Sequence, residues 1–172
     1  MLPNKEPVKT VELEAKDFEG LNRVLSELRE DNRIKIVEGI KDKRALEYFG
    51  ITNIRMVHGN SLPQLTSSIK EDVILLVDFD RTGRTIAKKI ADLLKNESIH
   101  VDLNYRRGLR KYAKINEIEE LVVKYNELLE KFGGNGNGKD LHRHSKVHGL
   151  RSLRDRWGSG EAGRGGGPLR SD

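Results

Sequence analysis

The sequence of 172 residues contains no cysteine. It can therefore form neither a disulfide framework nor a thiolate metal site. No apolar run approaches the ~20 residues that a membrane-spanning helix needs. The N-terminal stretch Met1 to Thr10 lacks the apolar centre of a signal peptide. Together these absences predict a soluble, cytoplasmic protein without a membrane partner.

Excess positive charge is also scarce over most of the chain, although the net charge is +5. From Lys139 onward, eight Lys and Arg residues stand against four Asp and Glu residues, so this segment supplies most of the excess. Residues 1–138 are close to neutral and do not form a strongly basic body. Any affinity for nucleic acid must therefore come from local basic patches, a bound metal or the C-terminal segment.

The most informative stretch is residues 73–83, which reads Val-Ile-Leu-Leu-Val-Asp-Phe-Asp-Arg-Thr-Gly. Its apolar run predicts a strand buried on both faces, as in a parallel sheet covered by helices. Ligands of such sheets bind beyond the carboxyl ends of the strands, which is where Asp78 and Asp80 fall. Paired carboxylates are poor core residues and good ligands for Mg²⁺. This stretch therefore predicts a metal site for phosphate chemistry.

A second strand candidate, Ile-Lys-Ile-Val-Glu-Gly at residues 34–39, also ends in an acid and a glycine. A short right-handed crossover would allow the two strands to lie side by side, bringing Glu38 close to Asp78 and Asp80. Three acids around one crevice repel one another unless a cation lies between them. The combination indicates metal more strongly than any one acid does.

These two motifs together resemble the Toprim domain, a module shared by topoisomerases, bacterial-type primases, OLD-family nucleases and a small ribonuclease that matures 5S ribosomal RNA. That family has a Glu-Gly motif after its first strand and an Asp-x-Asp-x-x-Gly motif after its third. Here they read Glu-Gly-Ile-Lys-Asp at 38–42 and Asp-Phe-Asp-Arg-Thr-Gly at 78–83. The resemblance covers roughly residues 33–104. It implies a Rossmann-like α/β fold with about four mostly parallel strands flanked by helices.

The resemblance also implies roles for the acids. Asp78 and Asp80 would bind Mg²⁺, or Mn²⁺ in its place, and Glu38 would serve as a metal ligand or as a general acid and base. Asp42 matches an acid often present in the first motif, and we expect it to support the site or cap a helix. The glycines of the two motifs, Gly39 and Gly83, allow tight turns and close approach of the backbone to phosphate.

Basic residues near the motifs are candidates for binding substrate phosphates. We predict this role for five of them: Lys41, Arg81, Arg84, Arg106 and Arg107. Arg106 and Arg107 begin a basic cluster with interleaved tyrosines after the last predicted strand. That cluster would guide nucleic acid to the site, or it would be an exposed charged loop.

Apolar periodicity predicts flanking helices at about residues 15–30 and 115–132, the second being an extra C-terminal helix that packs on the sheet or binds a protein partner. We expect residues 1–132 to form one domain. Residues 133–172 begin with a glycine-rich linker and hold little to bury, which predicts a disordered basic tail.

Three functions compete for this pattern. The favoured one is a small metal-dependent nuclease, with RNA slightly favoured over DNA. The second is a Toprim-like module that binds RNA or a protein without cutting. The third is a haloacid-dehalogenase-like phosphatase, because residues 78–82 also satisfy Asp-x-Asp-x-Thr. That motif usually opens its domain, whereas two predicted strands precede it here.

Overall fold

The computed structural model describes residues 6–133. Of the predicted tail, residues 133–172, all but Gly133 lie outside the described residues. Within residues 6–133, no helix is both long and apolar enough to cross a membrane.

Four parallel strands form one sheet in the order β2-β1-β3-β4. Their bounds are Ile34–Val37 (β1), Ile54–Met56 (β2), Val73–Leu75 (β3) and Val101–Asp102 (β4). The predicted α/β fold with about four parallel strands is confirmed, as is the side-by-side placement of β1 and β3. Strand β4 lies at an edge of the sheet and is partly exposed.

Six α-helices accompany the sheet in the described part of the chain. Their bounds are Glu6–Glu30 (α1), Ile40–Tyr48 (α2), Leu62–Ser67 (α3), Arg81–Asn96 (α4), Asn104–Ala113 (α5) and Leu121–Phe132 (α6). A short 3-10 turn, Ile118–Glu120, leads into α6. The sheet therefore has helices on both faces, which explains why β3 reads as an unbroken apolar run and why only Lys35 interrupts the apolar residues of β1.

Two apolar cores fill the space between the sheet and these helices. On one face, α1, α2, α5 and α6 cover the sheet, and α1 buries an apolar stripe there that consists of Phe18, Leu21, Leu25 and Leu28. On the other face, α3 and α4 pack against the alternate residues of β1 and β3. Both central strands are thus fixed between two apolar layers, and apart from the buried Lys35 of β1 their polar neighbours follow the strand ends.

The helices nearest the two termini differ from the predicted ones. Helix α1 begins at Glu6 rather than near residue 15, because its first turns bury little and give no apolar stripe: Val8, Val11 and Leu13 are exposed. At the other end α6 begins at Leu121 rather than near residue 115. The buried residues Ile115 and Ile118 belong instead to an irregular segment and to the 3-10 turn.

Helix α5 is the element that the sequence did not predict. Only Leu109 and Ala113 are buried among its ten residues, and four of the ten are Arg or Lys, so the segment reads as a charged loop. Lys114 ends it in the left-handed conformation, with φ of 55°. The predicted basic cluster therefore lies on a helix packed across α1 and the sheet, not on a loop.

Candidate metal centre

The register of β1 and β3 brings Glu38 beside Asp78. Ile36 is level with Leu75, so the residues that follow each strand emerge at the same edge of the sheet. The Oε1 atom of Glu38 accepts a hydrogen bond of 3.1 Å from the backbone N–H of Asp78. The two motifs, 40 residues apart in sequence, are therefore in direct contact.

Both aspartates of the second motif use one carboxylate oxygen to hold the local backbone. Asp80 is the N-cap of α4, and its Oδ1 accepts a hydrogen bond of 2.7 Å from the N–H of Gly83. Asp78 Oδ1 accepts one of 2.9 Å from the N–H of Ile118, in the turn before α6. An N-cap carboxylate also interacts favourably with the positive end of the helix dipole. The carboxylates are thus oriented by the fold itself.

Asp42 helps to cap α2, the helix that follows the Glu-Gly motif. Its Oδ2 accepts a hydrogen bond of 2.9 Å from the N–H of Gly39, which closes the turn between β1 and α2. The residue is only 6% exposed, so its carboxylate supports this turn from inside. His58, in the loop after β2, lies against the same turn: its Nδ1 would be 3.0 Å from a Cβ at Gly39.

The glycine of the second motif permits a very close approach. A Cβ at Gly83 would lie 2.1 Å from the carbonyl oxygen of Asp78 and 2.8 Å from Oε1 of Glu38. No side chain fits in that space. Gly83 therefore allows the first turn of α4 to sit directly on the backbone that carries the acids.

Burial and mutual repulsion raise the pKa values of three site acids. For Glu38, burial is the largest cause, and the charges of Asp78, Asp42 and Asp80 add to it against the hydrogen bond from Asp78. Burial likewise raises the pKa of Asp78, with contributions from Asp80 and Glu119, while the N–H of Ile118 and the charge of Arg106 lower it. The pKa of Asp42 is raised by burial and by the charges of Asp78 and Glu119. The site therefore holds more negative charge than its surroundings balance.

Sequence reasoning missed Glu119. This residue lies in the 3-10 turn, and its carboxylate pairs with Lys41 at 3.1 Å. Its charge reaches both Asp42 and Asp78. No sequence pattern indicated this, because residues 115–132 read as one amphipathic helix far from the motifs along the chain.

The predicted phosphate-binding residues fall into two groups. Lys41 is paired with Glu119, and Arg107 donates a hydrogen bond of 3.0 Å to the side chain of Asn104. Arg81 is exposed at the start of α4, and its side chain makes no hydrogen bond or ion pair with any other residue of the described range. These three cations lie on the surface, where a polyanion can reach them.

The other two arginines are already engaged by the protein. Arg84 donates a hydrogen bond of 2.9 Å to the carbonyl of Phe79. Arg106 is partly buried and donates to the carbonyls of Val77 and Asp78. The structure therefore places Arg84 and Arg106 against the backbone that carries the acids and pairs Lys41 with Glu119, whereas the side chain of Arg107 contacts Asn104 of its own helix.

The acids fit a sparse Mg²⁺ site. Glu38, Asp42 and Asp78 each use one carboxylate oxygen in a hydrogen bond, and the second oxygen of each has no protein donor. Every side-chain oxygen of residues 6–133 that is closed off from solvent does have a hydrogen bond. These second oxygens therefore reach solvent. No three acidic or histidine side chains in the same range are arranged to hold a metal on their own. Mg²⁺ suits such a site, since it binds through one or two carboxylates and keeps several waters.

An acidic edge of a parallel sheet, with cations around it, defines an α/β domain for metal-dependent chemistry on phosphates. Residues 33–118, half of the chain, match the Toprim domain. The chain belongs to the Toprim family, whose members are metal-dependent domains that act on nucleic acid. The match ends at Ile118, the residue whose N–H holds Asp78.

Several archaeal proteins and one bacterial structure are similar to the chain. The UPF0292 protein of Thermococcus sibiricus is 38% identical over 116 residues, covering 64% of this chain and 92% of that protein. The UPF0292 protein of Methanocaldococcus jannaschii is 32% identical over 121 residues, covering 65% and 94%. A solved structure of an Aquifex aeolicus protein matches with a TM-score of 0.54 and 33% identity, over 58% of this chain and 96% of that one. None of these names states an activity, so the similarity supports the family and not a particular reaction.

Proposed function

We propose that the chain is a small Mg²⁺-dependent nuclease that hydrolyses phosphodiester bonds, with RNA favoured over DNA. The contact between Glu38 and the backbone of Asp78 supports this most directly, because it assembles the two family motifs at one edge of the sheet. The surplus of negative charge at that edge is the second support. A cation would relieve it and would attract a phosphate in turn.

In this proposal Asp78 and Asp80 hold the metal, with Glu38 beside them. Bound Mg²⁺, or Mn²⁺ in its place, would supply charge to stabilise the phosphate oxygens and would lower the pKa of a coordinated water. Each aspartate keeps one oxygen on a backbone N–H and presents the other to the metal. The hydrogen bonds fix the direction of the carboxylates before any ligand arrives.

Glu38 would also move protons. Its Oε1 is engaged by the N–H of Asp78, so the solvent-facing Oε2 is the atom that would accept a proton from water or return one to the leaving oxygen. Burial and neighbouring charges raise the pKa of Glu38 above its ordinary value, toward the range in which a carboxyl group exchanges protons near neutral pH.

The exposed cations would bind the backbone of the nucleic acid. Arg81 begins α4 beside the acids, and Arg107 extends the basic surface along α5. Lys41 would exchange Glu119 for a phosphate, since a pair between exposed side chains contributes little stability. Arg84 lies at the same turn and would contribute charge while keeping its hydrogen bond to Phe79.

A module that binds nucleic acid without cutting it is the second candidate. It is favoured by one observation: within residues 6–133, no three potential ligands enclose a metal position. Such a module would still use the basic surface, so binding of nucleic acid alone cannot separate the two functions. Cleavage separates them.

The test measures cleavage of labelled structured RNA, single-stranded DNA and duplex DNA with Mg²⁺, with Mn²⁺ and with EDTA. We expect metal-dependent cleavage by the wild type and a loss of about 10³-fold or more in the Glu38→Gln and Asp80→Asn variants. Asn is itself a good N-cap, so Asp80→Asn should leave α4 intact. The matched control is Asp92→Asn, an exposed residue of the same helix. Cleavage that survives in both site variants would refute the assignment, and binding without any cleavage would favour the second candidate.

A further inference from the structure

The backbone between β3 and α4 is held by arginine side chains at three successive carbonyls. Arg106 Nε donates a hydrogen bond of 2.7 Å to Val77, and Arg106 Nη2 donates to Asp78. Arg84 Nη1 donates one of 2.9 Å to Phe79. Carbonyls just past the end of a strand lose their ladder partners and need others. Here charged donors from α4 and α5 replace the ladder.

Arg106 contacts this segment both through hydrogen bonds to its backbone and through a side chain, that of Phe79. Two of its donor nitrogens point at carbonyls, and its guanidinium lies over the ring of Phe79, 4.8 Å from the ring centre. The side chain is partly buried, and its burial lowers its pKa. A residue with these contacts has less freedom to follow a phosphate than the exposed Arg107, its neighbour on α5.

The same short stretch is held from a third direction by the turn before α6. The N–H of Phe79 donates to the carbonyl of Asn116 at 2.8 Å, and the N–H of Ile118 donates to Asp78 Oδ1. The peptide groups on both sides of Asp78 therefore have partners in distant parts of the chain. Rotation of either group would break at least one of these hydrogen bonds and change the direction of the Asp78 carboxylate.

We propose that Arg106 is a positioning residue for metal binding: it fixes the backbone of Asp78 so that the free carboxylate oxygen faces the metal position. This role rests on the proposed function for the metal site, and it replaces phosphate binding as the task of Arg106. Partners that orient a metal ligand commonly change metal affinity by 10- to 100-fold when they are removed.

The charge of Arg106 means that a positioning role and a purely electrostatic role predict opposite changes in metal affinity. Arg106 lies close enough to Asp78 and Glu38 for their charges to act on it, and it would also repel a cation held there. If its only effect were electrostatic, removal of its charge would tighten metal binding. If it positions Asp78, removal weakens metal binding despite the lost repulsion.

The experiment measures Mn²⁺ affinity of the full chain without nucleic acid, by electron paramagnetic resonance of free Mn²⁺. We expect Arg106→Gln to weaken Mn²⁺ binding about 10-fold or more. Arg106→Lys keeps the charge but loses the two-pronged contact, and it should also weaken binding. The reciprocal control is Arg107→Gln, which should keep the Mn²⁺ affinity while weakening the binding of RNA in EDTA. Thermal unfolding of the same samples shows which variants are folded.

Unchanged or tighter Mn²⁺ binding in folded Arg106→Gln would overturn the positioning role, and so would a loss of RNA binding in EDTA equal to that of Arg107→Gln. Failure of both Arg106 variants to fold would overturn it in favour of a purely structural role. Absence of Mn²⁺ binding in the wild type would instead remove the metal site of the proposed function, and the role of Arg106 with it. Loss of cleavage alone distinguishes nothing and is not the readout.

Discussion

Acidic side chains lie near both ends of the parallel sheet, and the two groups have different partners. Near the amino end of β1, Asp31 faces Arg33, whose guanidinium also reaches Asp102 of β4. At the carboxyl end, Glu38 and Asp78 face backbone N–H groups and other acids. The same residue type is therefore neutralised at one edge and left in excess at the other.

The amino-end network has the properties of a structural ion pair. Arg33 Nη2 lies 2.7 Å from Asp31 Oδ2 and 3.0 Å from Asp102 Oδ2, and the hydroxyl of Tyr105 donates to Asp31. The hydrogen bonds from Arg33 lower the pKa of Asp31 to about 2. Lys35, fully buried in β1, adds a hydrogen bond to the backbone carbonyl of Asp31. Both carboxylates of the network are paired with Arg33, so they do not call for a ligand, while burial lowers the pKa of Lys35, which hydrogen-bonds to a backbone carbonyl.

The carboxyl-end acids show the opposite shift. Burial raises the pKa values of Glu38, Asp42 and Asp78, and no cation makes a direct ion pair with any of these three within residues 6–133. Charge that is oriented but not neutralised costs stability in the absence of a ligand, and such costs are concentrated at functional sites. The comparison predicts that removing the charge of an acid changes stability in opposite directions at the two edges.

The largest expected effect comes from filling the space at Gly83. A Cβ there would overlap the backbone of Asp78, which cannot move aside as a flexible side chain could. We expect Gly83→Ala to lower the free energy of unfolding by about 3 kcal/mol and to abolish metal-dependent cleavage. Urea unfolding checks the first and the RNA assay the second. Thr82→Ala, at the preceding exposed position, should stay within about 0.5 kcal/mol of wild type. A stable, active Gly83→Ala would show that α4 can retreat from the acids.

A smaller loss of stability is expected at the amino end. Asp31→Asn removes the charge that pairs with Arg33, and we expect the free energy of unfolding to fall by about 2 kcal/mol at pH 7 while cleavage is kept. Since the pKa of Asp31 is lowered to about 2, its contribution is present above the unfolded value of 3.8 and is lost as the pH falls through about 2.

Urea unfolding at pH 7 and at acidic pH tests this. The difference between wild type and Asp31→Asn should shrink as the pH falls below 3.8, because the unfolded chain then binds a proton at Asp31, and it should vanish once the folded protein binds that proton too, below about pH 2. The exposed Asp92→Asn serves as the control for loss of an acid. A variant as stable as wild type at pH 7 would mean that Arg33 is satisfied by Asp102 alone, and the contrast between the two edges would be weaker.

The acids could be located from the sequence because each follows an apolar run. A parallel sheet places the carboxyl ends of neighbouring strands together, so a strand pattern followed by an acid already predicts where that acid lies. The contact of Glu38 with Asp78 needs only that β1 and β3 be neighbours. The Toprim resemblance rested on these two motifs, and the family match over residues 33–118 confirms it.

The contacts that hold the acids could not be located in this way. Arg106 acts from α5, a helix with few apolar residues that reads as a charged loop, and its partners are backbone carbonyls that carry no sequence signal. Glu119 and Ile118 reach the site through a 3-10 turn that the sequence reads as part of a longer helix. Sequence patterns thus identify residues that are buried or clustered, while the choice of partner depends on tertiary geometry.

The smallest effect, and the one of opposite sign, is expected at Glu38. In EDTA at neutral pH, Glu38→Gln should raise the free energy of unfolding by about 1 kcal/mol. The amide keeps an oxygen for the N–H of Asp78 and removes a buried charge that faces Asp78, Asp42 and Asp80. Because the folded-state pKa of Glu38 is raised above 4.5, wild-type Glu38 becomes protonated as the pH falls through that raised value. The wild type then loses the repulsion, and its free energy of unfolding approaches that of Glu38→Gln.

The free energies of unfolding of wild type and Glu38→Gln, measured with urea, should therefore differ at pH 7.5 and converge by about pH 4.5, the pKa of Glu38 in the unfolded chain. Saturating Mg²⁺ should reverse the order at neutral pH, because only wild type gains the binding energy of the metal. The exposed Glu71→Gln controls for loss of a glutamate and should shift neither profile. If Glu38→Gln is the less stable protein in EDTA at pH 7.5, the hydrogen bond to Asp78 outweighs the repulsion. The carboxyl edge would then resemble the amino edge, because its acids would stabilise the fold without a bound cation.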